Sequence, residues 1–164
     1  MKLHTDYRDI LTCLIARKVE FLVVGAYAMA AHGYVRATTD IDVWVNPTIA
    51  NSTRVWAALQ DFGAPLIGLT VEDFAMNDTV YQMGVAPVRI DVLTGISGVE
   101  FPAAWNAHDI LDIDGLALPV LSVPDLIINK SATGRPNDQL DIAKLQRLLK
   151  PQTDGVGRKG RKKS

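Results

Sequence analysis

Two aspartates lie inside a strongly apolar stretch of this chain, and few folds accommodate that arrangement. The stretch reads Thr38-Thr39-Asp40-Ile41-Asp42-Val43-Trp44-Val45. In a strand, residues i and i+2 point to the same face of the sheet. If residues 41–45 form a strand, Asp40 and Asp42 therefore share one side of it, while Ile41 and Val43 face the core.

Two carboxylates at this spacing repel each other, and each raises the pKa of the other. A divalent cation removes that penalty, and oxygen ligands suit Mg²⁺ best. Two such ions about 3.5–4 Å apart can clamp the attacking and leaving oxygens of a phosphoryl transfer. A third acid, Asp91, lies in the apolar segment Arg89-Ile90-Asp91-Val92-Leu93, where a carboxylate is costly unless it reaches solvent or a cation. The pattern favours a site for Mg²⁺ or Mn²⁺ formed by Asp40, Asp42 and Asp91.

The spacing of the first aspartate pair is not specific, because Asp112-Ile113-Asp114 repeats it. Gly115 follows that second pair, and Asp-Gly between two apolar runs is typical of a hairpin turn. The first pair has a different context. The apolar run 21–24 leads through Gly25 directly into an alanine-rich helix, and glycine at such a junction lets the backbone approach a phosphate.

The remaining hydrophobic periodicities alternate between helices and strands. Helices are predicted over residues 3–18, 26–31, 47–62, 99–107, 122–130 and 137–149. Strands are predicted over residues 21–24, 41–45, 80–85, 88–93, 110–113 and 116–120. This mixture predicts an α/β or α+β fold with a mixed central sheet and flanking helices.

The charges divide the chain into an acidic domain and a basic tail. Residues 1–149 carry 11 Lys and Arg against 17 Asp and Glu, a net charge of −6, whereas residues 150–164 have a net charge of +5. A chain of 164 residues suits one domain with its own core. We expect a domain over residues 1–150 and a disordered tail over 151–164, which either binds RNA or DNA electrostatically or only solubilises the chain.

No run of 18 apolar residues occurs, so a membrane-spanning helix is excluded. The single cysteine, Cys13, cannot form an internal disulfide or a cysteine-based metal site. Both observations fit a cytoplasmic protein that works without a membrane.

The segments around Gly25 and Asp40 together resemble the DNA polymerase beta-like nucleotidyltransferase superfamily. Its members show a hydrophobic strand, Gly followed by Gly or Ser, a helix, and then Asp-hydrophobic-Asp. Residues 24–42 further resemble small bacterial nucleotidyltransferases related to abortive-infection and toxin–antitoxin components. The later segments 121–130 and 134–138 match these proteins too. The resemblance implies a nucleotidyltransferase-like fold over roughly residues 20–148.

The resemblance also implies an activity, the metal-dependent transfer of a nucleoside monophosphate from a nucleoside triphosphate. The acceptor would be a hydroxyl group of an RNA, a protein or a small molecule. Asp40 and Asp42 would bind the metal ions, and Asp91 would bind one of them and help to activate the acceptor hydroxyl. A role in a toxin system would add a cognate partner protein.

Five further residues are candidates for nucleotide binding. The backbone N–H groups of Gly25 and Ala26 would contact the triphosphate, and Lys130 is either a phosphate ligand or a solvated helix residue. Thr38 and Thr39 contact phosphate or only form a turn.

Other features leave alternative functions open. Ala26 stands where the superfamily has Gly or Ser, so a hydroxyl contact is absent. One alternative is a catalytically inactive binding module or antitoxin that works through a partner protein. Another is a metal-dependent phosphohydrolase or nuclease, although Gly25 and Lys130 favour transfer. We interpret Arg36 and Arg135 as structural ion-pair partners and Trp44 as a packing residue.

Overall fold

The computed structural model describes residues 1–34 and 37–149, and their strands form one six-stranded sheet. The strands are β1 (Phe21–Val24), β2 (Asp40–Val45), β3 (Val80–Val85), β4 (Val88–Leu93), β5 (Asp109–Ile113) and β6 (Leu116–Val120). Their spatial order is β3-β4-β2-β1-β6-β5. β1 pairs antiparallel with β2 and parallel with β6, and β2 pairs parallel with β4. The edge strands β3 and β5 pair antiparallel with β4 and β6, so the predicted mixed sheet is confirmed.

Helices flank this sheet, as predicted. They are α1 (Thr5–Ala16), α2 (Gly25–Ala31), α3 (Ile49–Phe62), α4 (Phe101–Ala107), α5 (Val123–Thr133) and α6 (Pro136–Leu149). A 3₁₀ helix at Val71–Ala75 was not predicted. None of the described helices is long and apolar enough to cross a membrane. Arg36 and the basic tail over residues 151–164 lie outside the described residues.

Side-chain caps explain where two predicted helix boundaries were wrong. His4 Nδ1 accepts a hydrogen bond from the backbone N–H of Asp6, so α1 begins at Thr5 and not at residue 3. Thr48 Oγ1 accepts from Asn51 N at 3.1 Å, so α3 begins after Thr48 and not at Pro47. Both caps satisfy a backbone donor that the first helical turn leaves unpaired.

The core lies on both faces of β2 beyond its two aspartates. Ile41, Val43 and Val45 are fully buried, and so is Trp44 on the opposite face. The Trp44 ring packs edge-on against Phe101 of α4, with ring centroids 5.0 Å apart. The interpretation of Trp44 as a packing residue is therefore confirmed.

The second aspartate pair has the structural role that the sequence predicts. Asp114 and Gly115 have φ angles of 51° and 85° and form the turn between β5 and β6. Asp114 Oδ2 accepts a hydrogen bond from Leu3 N at 3.0 Å and pairs with Arg8. Asp112 points to solvent. This pair is a hairpin element that ties the N-terminus to the sheet.

Candidate active site

The register of β1, β2 and β4 brings three aspartates to one place on the sheet. Asp42 lies opposite Val24 on β1 and opposite Asp91 on β4. Residues directly opposite each other on neighbouring strands point to the same face. One carboxylate oxygen from each of Asp40, Asp42 and Asp91 therefore lies within 4.8 Å of the other two.

Gly25 makes room for the central carboxylate of this trio. It follows Val24, the partner of Asp42, and turns the chain from β1 into α2 with φ at +69°. A Cβ atom built on Gly25 would lie 2.5 Å from Asp42 Oδ2, closer than any real contact of this kind. Both the backbone conformation and the space therefore require glycine here.

The trio is electrostatically strained. Asp91 is 6% exposed, and Asp40 and Asp42 are half-buried. Burial, together with the charges of Asp40 and Asp91, raises the pKa of Asp42 to about 7. A group in this state releases its proton most readily when a cation arrives, so the three carboxylates form a site suited to a hard divalent ion.

Arg89 is the nearest cation to the trio among the described residues, and it was not predicted as a site residue. Its Nε donates to Asp91 Oδ1 at 3.0 Å, and its Nη2 donates to Asp91 Oδ2 at 3.2 Å and to Asp40 Oδ2 at 3.1 Å. Arg89 and Asp91 are two residues apart on β4, and that spacing was the available signal. The guanidinium serves as a counter-ion that partly offsets the repulsion between the acids.

Two members of the trio, Asp40 and Asp42, line a cleft of about 470 Å³ between the sheet and the last two helices, and Asp91 is not part of this lining. Its lining comprises Gly25, Ala26, Asp40, Asp42, Lys130, Arg135, Pro136, Asn137, Asp138 and Asp141. Five predicted site residues line it and come from three segments of the chain: Gly25 and Ala26 from α2, Asp40 and Asp42 from β2, and Lys130 from α5. A pocket of this size and polarity accommodates a small polar ligand.

Lys130 is buried, so its interpretation as a solvated helix residue is wrong. Its Nζ lies 3.0 Å from Asp141 Oδ2 and 3.5 Å from Asp138 Oδ1. Arg135 also pairs with Asp138, at 3.1 Å, which confirms its interpretation as an ion-pair partner.

The two threonines lie beside the cleft and not in it. Thr38 Oγ1 lies 2.9 Å from Asp40 O and 3.3 Å from Asp40 Oδ1. Thr39 O accepts hydrogen bonds from Tyr7 and from the backbone N–H of Arg89. Both threonines line a neighbouring cavity of about 360 Å³ that shares Ala26 and Asp40 with the cleft. Thr38 therefore contacts Asp40 directly, whereas Thr39 is bonded through its backbone carbonyl to Tyr7 and Arg89.

Two comparisons with known proteins found similarities, and a third found none. The model of a family described as "Nucleotidyltransferase of unknown function (DUF6036)" matches residues 3–151. No curated protein sequence matches the chain. Among solved structures, a Thermotoga maritima protein described as a "putative nucleotidyltransferase" is similar with a TM-score of 0.53 and 15% identity, over 90% of this chain and 95% of that one. At this identity, the likeness shows the fold alone.

Proposed function

This chain belongs to that nucleotidyltransferase family, and we propose that it transfers a nucleoside monophosphate from a nucleoside triphosphate to a hydroxyl acceptor. The acceptor oxygen forms a bond to the α-phosphorus, and the bond from that phosphorus to the bridging oxygen of the β-phosphate breaks. Pyrophosphate leaves with the electron pair of the broken bond. The proposal depends most on the trio of neighbouring carboxylates, two of which, Asp40 and Asp42, line a polar cleft.

The trio accounts for the metal dependence of the proposed reaction. Asp40, Asp42 and Asp91 offer only oxygen ligands, which fit Mg²⁺ or Mn²⁺. When bound, such an ion supplies positive charge that offsets the charge on the phosphate oxygens. Asp91, buried at the edge of the trio, also helps to activate the acceptor hydroxyl by attracting its proton.

The nucleotide lies in the cleft with its phosphates toward the start of α2. Gly25 and Ala26 line the cleft, and their backbone N–H groups would contact the triphosphate. Lys130 lines the same cleft and donates to the departing pyrophosphate. Thr38 supports the site through Asp40, and Thr39 supports it through the backbone of Arg89.

Ala26 favours a second candidate, a binding module that keeps the fold and lacks activity. An alanine has no hydroxyl for the phosphates, although its backbone N–H remains. In that case the chain works through a partner protein, as an antitoxin does. The resemblance of residues 24–42 to toxin-system nucleotidyltransferases supports a toxin-system role for either candidate, with RNA, protein or a small molecule as the acceptor of an active enzyme.

A transfer assay separates the two candidates. The protein is incubated with Mg²⁺, each nucleoside triphosphate labelled at the α-phosphate, and bacterial RNA or protein extract. We expect acid-stable label on an acceptor with the wild type and none with Asp42→Asn. Asp112→Asn is the matched control, because it removes an aspartate of the same spacing outside the site and keeps full activity. Absence of label with all nucleotides and acceptors would contradict the enzymatic proposal.

A further inference from the structure

The helical side of the cleft holds a lysine that is surrounded by acids. The side chain of Lys130 is 10% exposed, and those of its partners Asp138 and Asp141 are 3% and 7% exposed. Buried carboxylates are costly, and near a site for a polyanion they also oppose binding. Attraction of the nucleotide therefore does not explain why Asp138 and Asp141 lie beside this cleft.

Asp138 organises the turn between α6 and the helix that carries this lysine, α5. It accepts hydrogen bonds from Thr133 Oγ1 and from the backbone N–H and Nε of Arg135, the latter two at 3.1 Å. Burial opposes ionisation of Asp138, but the hydrogen bonds from Thr133 and Arg135 outweigh it and lower its pKa to about 2. Asp138 is therefore an anion over the whole physiological range, locked between α5 and α6.

Asp141 makes the shorter contact with the lysine ammonium, at 3.0 Å. Because Arg135 also pairs with Asp138, two carboxylates balance two cations in this cluster, and the ammonium adds no net positive charge to the cleft. Among the described residues that line the cleft, four carboxylates face two cations, Lys130 and Arg135. The cleft without metal ions is thus not a site that attracts a nucleoside triphosphate by its own charge.

We propose that Asp138 and Asp141 are positioning residues that hold the Lys130 ammonium in one place and cancel its charge. Lys130 then donates a hydrogen bond in a fixed direction to the departing pyrophosphate, and it does not attract anions to the cleft by a net positive charge. The positive charge that brings the nucleotide into the cleft comes from the cations bound by the carboxylate trio. This inference rests on the proposed transfer reaction.

Asp141→Asn tests the inference, because it keeps the shape of the side chain and removes its charge. Isothermal titration calorimetry with inorganic pyrophosphate in EDTA is expected to show binding about tenfold tighter than to the wild type. Turnover in the transfer assay is expected to fall about 10- to 100-fold, since the ammonium is no longer held. The KM for the nucleotide does not rise. The control Asp112→Asn, which changes an exposed acid on the β5–β6 hairpin, is expected to leave the pyrophosphate affinity, the turnover and the KM unchanged.

Several results would overturn the proposal. One such result is that Asp141→Asn leaves both the pyrophosphate affinity and the turnover unchanged. Another is that the variant loses both pyrophosphate binding and turnover, because such a loss would indicate that Asp141 has only a structural role. Asp141→Glu provides a second variant, because it keeps the charge and moves it. We expect its pyrophosphate affinity to equal that of the wild type and its turnover to be reduced, and full turnover would contradict the positioning role. If wild-type protein transfers no label but Asp141→Asn still binds pyrophosphate more tightly, the proposed reaction fails while the charge cancellation stands.

Discussion

Gly25 is needed both for the backbone conformation between β1 and α2 and for the space that the Asp42 carboxylate occupies. Its φ of +69° is unfavourable for other residues, and its missing Cβ leaves the space that Asp42 Oδ2 occupies. We expect Gly25→Ala to displace the Asp42 carboxylate, to weaken Mn²⁺ binding measured by calorimetry at least tenfold, and to lower the free energy of unfolding by about 1–3 kcal/mol.

The control for this substitution is Gly63→Ala. Gly63 has φ at +87° at the end of α3, and no atom lies within 4 Å of a Cβ built there. The control shares the backbone strain and lacks the clash with Asp42. Equal Mn²⁺ affinity in the two variants would show that Gly25 has no role in placing Asp42.

Asp42 gives the protein a specific dependence on pH. Because burial raises its pKa from 3.8 to about 7, the folded protein keeps this proton between those pH values while the unfolded chain releases it. The contribution of Asp42 to stability is therefore lost as the pH rises from about 4 to about 7. We expect urea unfolding in EDTA to show this decline in the wild type and a weaker one in Asp42→Asn.

Asp138 acts in the opposite direction, but its lowered pKa places its effect at more acidic pH, below about 4. The two effects are therefore separable in a pH series. Saturating Mg²⁺ would reverse the Asp42 effect, because the cation binds the ionised carboxylates. Parallel pH profiles for wild type and Asp42→Asn would contradict the raised pKa.

Among the elements, the loop between α1 and β1 depends on one buried amide. Asn51, on α3, accepts from Glu20 N at 2.8 Å and donates to Glu20 O and Asn46 O at 3.0 and 2.9 Å. Removing it leaves the Glu20 N–H without this partner, while Glu20 O and Asn46 O each lose one bond and keep those from the backbone N–H groups of Asn46 and Thr48. We expect Asn51→Ala to lower the free energy of unfolding by about 2–3 kcal/mol in urea denaturation.

The exposed Thr53, two residues further along α3, provides the comparison for Asn51. Thr53→Ala is expected to change stability by less than about 0.5 kcal/mol. A similar small effect in Asn51→Ala would mean that water replaces all three hydrogen bonds without cost.

The type of most elements could be predicted from the sequence, because periodicity and turn residues are local signals. The apolar run that forms β1 and the Asp-Gly turn at Asp114 are examples. The 3₁₀ helix at Val71–Ala75 has no long apolar period and was missed. Capping side chains, and not hydrophobic pattern, decided where α1 and α3 begin.

The burial of Lys130 could not be predicted from the residues around it in the sequence. On helix α5 alone, a lysine is a solvated residue, since isolated ammonium groups avoid the interior. Its burial follows from the packing of α6 against α5, which brings Asp138 and Asp141 to its side. Which residues of a second helix pair with this lysine depends on how the two helices pack, and the local sequence does not reveal it.

For the whole molecule, strand order and register decide the site. The sequence placed Asp40, Asp42 and Asp91 in two strands, but only the parallel pairing of β2 with β4 sets Asp42 opposite Asp91. The same register sets Arg89 opposite Asp40, and this explains why the counter-ion was not recognised. Residues 49 positions apart in the chain become hydrogen-bonded neighbours through that pairing.

If the three carboxylates on β2 and β4 form a site for a divalent cation, paramagnetic broadening by Mn²⁺ is confined to the residues around them. In ¹⁵N-labelled protein, we predict that substoichiometric Mn²⁺ first broadens the amide signals of Gly25, Asp42 and Asp91. The signals of Asp112 and Asp114 are broadened much less, and Asp42→Asn abolishes the selective loss. Uniform broadening, or preferential loss at the Asp112–Asp114 hairpin, would contradict the account.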